Sequence, residues 1–111
     1  MNELDAVKKL RDALDAKFAK DIVVLDLQDV SPIADYFVIA TGQNSPQLMS
    51  LQDTSEETLS NLGFKLGHIE GHKSAKWILL DYGSIVVHLF DKESREYYNL
   101  ERIWADARTV N

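Results

Sequence analysis

The chain has 111 residues, of which 45% are hydrophobic and 27% are charged, and it contains no cysteine. This length and composition are typical of one folded domain and differ from the polar, charge-rich composition of disordered chains. The absence of cysteine excludes disulfide bonds and thiolate metal sites. The net charge of -6 opposes binding to nucleic acid, and no basic patch is visible, so we expect a basic protein as partner.

The start of the chain has no recognisable targeting signal. Residues 1–5 are acidic and lack the basic and apolar segments of a signal peptide, and no apolar run approaches the ~18 residues of a membrane span. We therefore expect a cytoplasmic protein without membrane contact, built as one domain over residues 1–111.

The first half of the chain predicts a helix and two strands. Apolar residues recur every three or four positions over residues 3–18, which indicates an amphipathic helix. Residues 22–27 and 36–41 are β-branched apolar runs too short for helices, as expected of buried central strands. Ser31-Pro32 lies between the two runs and is expected to end the first strand.

A second helix is predicted directly after these strands. Ser45 is a suitable N-cap, Pro46 fits the first helical position, and Gly63 is expected to end the helix. One face of the helix carries Leu48, Leu51, Ser55, Leu59 and Leu62. The preceding residues, 41–45, lack the glycines of a phosphate-binding loop, so an anion site there has weak support.

The second half of the chain predicts three more strands. Residues 66–70 form a short strand, and residues 76–82 and 85–90 form a hairpin. Gly83-Ser84 is the two-residue link of that hairpin, with glycine at the first turn position.

The end of the chain, residues 91–107, has helical spacing through Tyr97, Leu100 and Trp104, with Asn99 as a cap between two short helices. The order of elements is α-β-β-α-β-β-β-α. This order predicts the α/β (α+β) class, with a mixed β-sheet of about five strands flanked by helices.

Strand alternation separates two faces of the hairpin. The face expected to be core is almost wholly apolar: Ile78, Leu80, Tyr82, Ile85, Val87 and Leu89. The other face mixes large aromatic residues with an acid and a histidine: Trp77, Leu79, Asp81, Val86, His88 and Phe90. Such a mixture resembles a protein-binding hot spot, with Trp77 and Phe90 in one surface patch. The same pattern also fits a face that is covered by a terminal helix, with Trp77 packed inside.

His68, Glu70 and His72 alternate along a strand and carry atoms that can bind a metal ion. Their spacing matches no common metal motif, and surface residues around a turn are the favoured interpretation. His88 stands alone in an apolar strand, where a histidine is more often structural or part of an interface than catalytic.

Asp26, Asp29 and Asp35 border the first two strands, and a nucleotidyltransferase-like enzyme would use such acids to hold Mg²⁺. Asp29 and Asp35 also bracket a Ser-Pro turn, where aspartate is favoured by its own hydrogen bonds to the backbone. The chain has no nucleophile motif, so we expect neither catalysis nor a cofactor or metal site.

Several motifs occur in an order and at a spacing that resemble one known family: Ala34-Asp35-Tyr36-Phe37, Ala40-Thr41-Gly42, Glu70-Gly71, Trp77-Ile78, Asp81-Tyr82-Gly83, Val87-His88, Tyr98, Leu100-Glu101 and Trp104. They lie in residues 25–45, 70–90 and 95–107. The family is that of the ribosomal silencing factors, also called the iojap family.

The resemblance implies a mixed sheet related to the nucleotidyltransferase fold, without its catalytic signature. It also implies binding to the large ribosomal subunit through large-subunit ribosomal protein fourteen, with little direct nucleic-acid contact. Association with the small subunit would be blocked, and translation repressed under nutrient limitation or in stationary phase. Family members often crystallise as dimers, so a homodimer is also expected from the resemblance.

The partner-binding site expected from the aromatic face and the family motifs comprises Trp77, Leu79, Asp81, Tyr82, His88, Phe90, Tyr98, Glu101 and Trp104. The sequence departs from the common family pattern at Pro46, Lys76 and Ser84, and Lys76 adds positive charge beside Trp77. Two other interpretations remain open: a Mg-dependent nucleotidyltransferase-like enzyme, and a homodimeric adaptor whose aromatic face pairs with itself.

Overall fold

The computed structural model describes residues 2–71 and 76–110. The helices and strands of these two ranges are, in chain order, α1 (Glu3–Ala16), β1 (Lys20–Asp26), β2 (Tyr36–Thr41), α2 (Ser45–Asn61), β3 (His68–Glu70), β4 (Trp77–Asp81), β5 (Ile85–Phe90), α3 (Lys92–Tyr98), α4 (Leu100–Ile103) and β6 (Arg108–Thr109). The predicted order of elements is confirmed, with one strand added at the end.

The strands of the described ranges form one mixed sheet with the order β3-β4-β5-β2-β1-β6. The central strands β2 and β5 run parallel, and every other neighbouring pair is antiparallel. Both central strands are buried along their full length, which explains their continuous apolar sequences. The predicted α/β (α+β) class is confirmed, with a sheet of six strands in place of about five.

The additional strand, β6, lies at one edge of the sheet. Thr109 pairs with Leu25 of β1, and the Val110 N–H donates to the carbonyl oxygen of Val24 at 2.8 Å. The two residues of β6 are polar and exposed, so they show no hydrophobic alternation. The sequence could not predict this strand because its partner alone defines it.

Helices α1 and α2 lie on one face of the sheet and bury the first hydrophobic core. Its fully buried members come from both helices and from the strands: Ala6, Val7, Leu10, Leu14, Leu48, Leu51, Leu59, Val38, Ala40, Ile78, Leu80, Ile85, Val87 and Leu89. The predicted apolar face of the hairpin is therefore confirmed as core.

Both long helices begin at an asparagine whose side chain accepts a backbone hydrogen bond. Asn2 Oδ1 accepts from the Asp5 N–H, and Asn44 Oδ1 accepts from the Gln47 N–H, both at 2.8 Å. The prediction of Ser45 as N-cap is wrong by one residue, because Asn44 is in the extended conformation that a cap requires and Ser45 is already helical.

The β4–β5 hairpin has the two-residue turn that the sequence predicted. Gly83 has a φ of 84°, and the Tyr82 N–H donates to the Ile85 carbonyl oxygen at 2.8 Å. Gly71 is also in the left-handed region, and a side chain there would meet the Trp77 carbonyl oxygen. Both positions therefore require glycine.

Across the described residues, no helix combines the length and the apolar character needed to cross a membrane.

Candidate functional site

The second face of the sheet carries its own hydrophobic core, which includes α4 residues. Its buried members are Leu25, Leu27, Ala34, Phe37, Ile39, Val86, Phe90 and Leu100, and Trp77, Leu79 and Trp104 pack against them while partly exposed. The interpretation in which terminal helices cover this face is confirmed for its centre. Its margin remains open to solvent.

An aromatic cluster of six ring-bearing residues occupies this face: Phe37, Trp77, His88, Phe90, Tyr98 and Trp104. Trp77 stands opposite Phe90 across β4 and β5, with ring centroids 5.0 Å apart, as the hairpin alternation predicted. The ring of Tyr98 lies 4.5 Å from Trp77, and that of Trp104 lies 5.7 Å from Phe37. These contacts fix the rings in one rigid arrangement.

His88 is at the centre of the aromatic cluster and is only 4% exposed. Trp77 Nε1 donates to His88 Nδ1 at 3.1 Å. An indole N–H can only donate, so Nδ1 accepts and the neutral ring carries its proton on Nε2. Burial lowers the pKa of His88 to about 4, although the Asp81 carboxylate acts in the opposite direction. The imidazole is therefore neutral at physiological pH.

The exposed rim of the aromatic cluster is defined as Trp77, Leu79, Tyr97, Tyr98 and Trp104, together with the exposed Ile103, which precedes Trp104 in the chain. Tyr97 is 81% exposed, Ile103 is 66% exposed and Tyr98 is 43% exposed. Large apolar side chains with this exposure, fixed on a buried aromatic base, are typical of protein-binding surfaces.

A buried arginine ties the C-terminal helices to the sheet. Arg95 Nε lies 3.2 and 3.3 Å from the two carboxylate oxygens of Glu101, and its Nη2 donates to Glu101 Oε2 at 3.2 Å. Arg95 Nη1 donates to the Thr41 hydroxyl oxygen at 2.8 Å. One guanidinium thus links α3, α4 and the end of β2.

Two of the three acids expected of an enzyme, Asp26 and Asp29, have partners for their carboxylates, and Asp35 has backbone hydrogen bonds. Asp26 Oδ1 accepts from the Gln28 N–H at 3.0 Å, and Asp29 Oδ2 lies 3.9 Å from Arg108 Nη2. The Asp35 carbonyl oxygen accepts from the Leu27 N–H. Within residues 2–71 and 76–110, no group of three or more acids and histidines is placed to hold a metal ion.

His68 and Glu70, two of the three residues considered as metal ligands, form an exposed pair on β3, with His68 Nε2 2.8 Å from Glu70 Oε1. The third member, His72, lies outside the described residues. At the start of α2, Gln43 N–H donates to Gln47 Oε1, so side chains of the helix itself already use backbone donors there.

Comparison with known proteins decides the family. The model of the family described as "ribosomal silencing factor during starvation" matches residues 1–111. The chain belongs to the ribosomal silencing factor family. Ribosomal silencing factor RsfS of Bacillus subtilis is similar, with 38% identity over 107 residues that cover 96% of this chain and 91% of that protein.

A solved structure and a more distant relative are also similar to this chain. A crystal structure of protein CV0518 from Chromobacterium violaceum superposes with a TM-score of 0.90 at 30% identity, covering 95% of this chain and 88% of that one. A mouse protein named "Mitochondrial assembly of ribosomal large subunit protein 1" is 33% identical over 89 residues, which cover 78% of this chain and 39% of that protein.

The expected site residues of this silencing factor do not all share one surface. The expectation that Phe90 lies in a surface patch is wrong, since its side chain is 0% exposed, and His88 is buried beside it. Both support the rim from below. Asp81 is partly buried and accepts the Gly83 N–H at 2.8 Å, so it stabilises the hairpin turn.

Tyr82 lies apart from the aromatic face because it packs against the first core, on the side of α1 and α2. Burial, and then the nearby Glu56 carboxylate, raise the pKa of Tyr82 to about 12. Of the nine expected residues, Trp77, Leu79, Tyr98 and Trp104 lie on the exposed rim, and Glu101 is turned toward Arg95.

Tyr97, Ile103 and Arg95 were not predicted as part of the site. The helical spacing aligned Tyr97 with Leu100 and Trp104, but the left-handed residue Asn99 ends α3 and redirects the chain. Tyr97 consequently faces solvent. A buried arginine gives no hydrophobic signal, and only the position of a matching acid in the next helix could have indicated it.

Proposed function

We propose that this protein represses translation by binding the large ribosomal subunit and preventing its association with the small subunit. The observation that carries the proposal is the exposed rim, a group of large apolar side chains on a rigid aromatic base in a member of the silencing factor family. We expect it to act in the cytoplasm under nutrient limitation or in stationary phase.

The rim has the properties of a preorganised interface. Trp77 stacks on Phe90 and donates a hydrogen bond to His88, and Tyr98 contacts the rings of both Trp77 and Phe90, so these two side chains lose little freedom on binding. Tyrosine and tryptophan are also the residue types that contribute most binding energy when a partner excludes water from them. Tyr97 and Ile103 extend the apolar area beyond the cluster.

The proposed partner is large-subunit ribosomal protein fourteen, a basic protein expected from the family resemblance. The net charge of -6 favours approach to a basic protein and opposes contact with bare RNA. The name of the mouse relative associates that protein with assembly of the large ribosomal subunit, which supports the choice of subunit.

The proposed mechanism is occupancy. A protein bound on the joining surface excludes the small subunit sterically, and no bond is made or broken. The homodimeric adaptor is the competing proposal for the same rim, since a second copy would cover the same apolar side chains.

Cosedimentation with purified ribosomal subunits tests the proposal. We expect the protein to comigrate with the large subunit and not with the small subunit. Tyr98→Ala should weaken large-subunit binding by roughly thirty-fold, because truncating a hot-spot aromatic costs about 2 kcal/mol. Tyr98 is a sharper choice than Trp77, which is more deeply packed and whose loss would also destabilise the fold.

The matched control is Phe18→Ala. Phe18 is 76% exposed in the turn between α1 and β1, away from the aromatic cluster, so this variant should bind as the parent protein does. Comigration with the small subunit alone would contradict the proposed function. A Tyr98→Ala variant that binds normally would remove the rim from the interface, and a parent dimer that Tyr98→Ala dissociates would favour the adaptor.

A further inference from the structure

The link between Arg95, Glu101 and Thr41 joins three elements that are separate in the chain. Thr41 ends the central strand β2, Arg95 lies in α3, and Glu101 lies in α4. The guanidinium makes three contacts to Glu101, two of them from Nε, and a fourth to Thr41, so Nε, Nη1 and Nη2 each have a partner here and three of the five N–H groups are engaged. This geometry suits arginine and cannot be reproduced by lysine.

Burying a charged side chain at this position has a free-energy cost. Removing a guanidinium from water has a large free-energy cost, and apolar residues of similar volume often stabilise a fold as well as a buried ion pair does. Arg95 is buried, whereas the Glu101 side chain is 38% exposed. The main contribution of the link is therefore to fix one arrangement of α3 and α4 on the sheet, and not to stabilise the fold.

That arrangement is the one on which the exposed rim depends. Tyr98 follows Arg95 by three residues, and Trp104 follows Glu101 by three residues, so each rim aromatic lies about one helical turn after a member of the link. Between the two helices Asn99 is left-handed, and α4 has only four residues. A helix this short has almost no stability of its own, so tertiary contacts must hold its direction.

We infer that Arg95 is a positioning residue for the proposed interface: by binding Glu101 and Thr41 together, it fixes α3 and α4 so that Tyr98 and Trp104 are presented to the ribosomal partner. This inference rests on the proposed function. It also changes the role of Glu101, which the sequence analysis expected to contact the partner, because the Glu101 carboxylate is already committed to Arg95.

The first test replaces Arg95 by methionine, which fills a similar space without the charge. Arg95→Met should keep its helical and strand signal in far-ultraviolet circular dichroism and lose much of the aromatic signal in the near ultraviolet, because the rings are no longer held in one orientation. Large-subunit binding should weaken about tenfold, the range expected for a residue that acts through others.

A double-mutant cycle separates positioning from a merely structural role. If Arg95 acts through Tyr98, Arg95→Met should add little further loss of binding in a Tyr98→Ala background. If Arg95→Met folds poorly, Glu101→Gln is the second variant, because the partly exposed Glu101 side chain tolerates the change. Thr41→Ser keeps the hydroxyl and should retain the aromatic signal that Thr41→Val lowers.

The outcomes distinguish this inference from the proposed function. If Tyr98→Ala weakens binding but Arg95→Met binds normally with an unchanged aromatic signal, the positioning role is wrong and the interface stands. If the protein does not bind the large subunit at all, the proposed function fails, while the near-ultraviolet signal of Arg95→Met still decides whether Arg95 orders the rings. Fully additive losses in the cycle would contradict action through Tyr98.

Discussion

His88 orients Trp77 only while its imidazole is neutral, since a protonated Nδ1 could not accept the indole N–H. The folded protein resists that protonation because burial lowers the pKa of His88 to about 4. At residue scale, therefore, the exposed rim depends on a histidine that lies beneath it and has no access to the partner.

The low pKa predicts a loss of stability in acid. Between the ordinary histidine pKa of about 6.5 and the folded value of about 4, the unfolded chain binds a proton that the folded protein does not. His88 thus contributes its full stability above pH 6.5 and loses it as the pH falls, by up to roughly 1.4 kcal/mol per pH unit. From pH 6.5 to pH 5, the free energy of unfolding should fall by about 2 kcal/mol.

Urea denaturation at a series of pH values measures this change. His88→Gln is the control, because glutamine keeps a hydrogen-bond acceptor and does not titrate. The variant should be less stable overall, but its free energy of unfolding should change little between pH 6.5 and pH 5. A parent protein with the same pH dependence as His88→Gln would show that His88 does not carry the effect.

At the scale of elements, the junction between α3 and α4 depends on the backbone of one residue. Asn99 has φ 45° and ψ 61°, and its side chain forms no capping hydrogen bond to α4. Asparagine is suited to this position because it adopts the left-handed conformation more readily than other residues with a β-carbon.

We predict that Asn99→Ala lowers the free energy of unfolding by about 1 kcal/mol, the cost of holding alanine in the left-handed region. Asn99→Gly should cost less, because glycine adopts this conformation without steric strain. Chemical denaturation of the two variants beside the parent measures the difference. If Asn99→Gly lowers the free energy of unfolding as much as Asn99→Ala does, the loss comes from a side-chain contact of Asn99 and not from its backbone conformation.

The elements that sequence reasoning located well are those defined by their own residues. Strands β2 and β5 have continuous apolar runs, and the buried residues of α2, from Leu48 to Leu59, recur every three or four positions, so the hydrophobic pattern was enough to locate them. The elements it located poorly depend on partners, as β6 does, or on a single cap, as at Asn44. Local propensity could not supply either.

For the molecule as a whole, the alternation along the hairpin predicted which residues share the second face, and this was correct. Which of them reach solvent could not be predicted, since that depends on where α3 and α4 cross the sheet. The left-handed turn at Asn99 and the link from Arg95 to Thr41 decide this, and hydrophobic periodicity signals neither of them. The margin of the face is consequently exposed while Phe90 is buried.

The parallel pairing of β2 with β5 also has a consequence for how the chain folds. Strands β1 and β2 form one antiparallel pair, and β3, β4 and β5 form another antiparallel unit, each from strands that are neighbours in the chain. The parallel seam joins these units, with Val38 opposite Val87, across a long stretch of chain. Closing that seam has an entropic cost before its contacts are gained, so seam formation should limit the folding rate.

Stopped-flow kinetics would detect this slow step. Val38→Ala in the seam should mainly slow folding, whereas Ile69→Ala in the edge strand β3 should mainly speed unfolding. Equal effects of both variants on the folding rate would contradict a seam-limited step. The aromatic cluster draws its rings from both sides of the seam, Phe37 from one and Trp77, His88 and Phe90 from the other, so a chain that has not yet closed there has no assembled rim to offer the proposed partner.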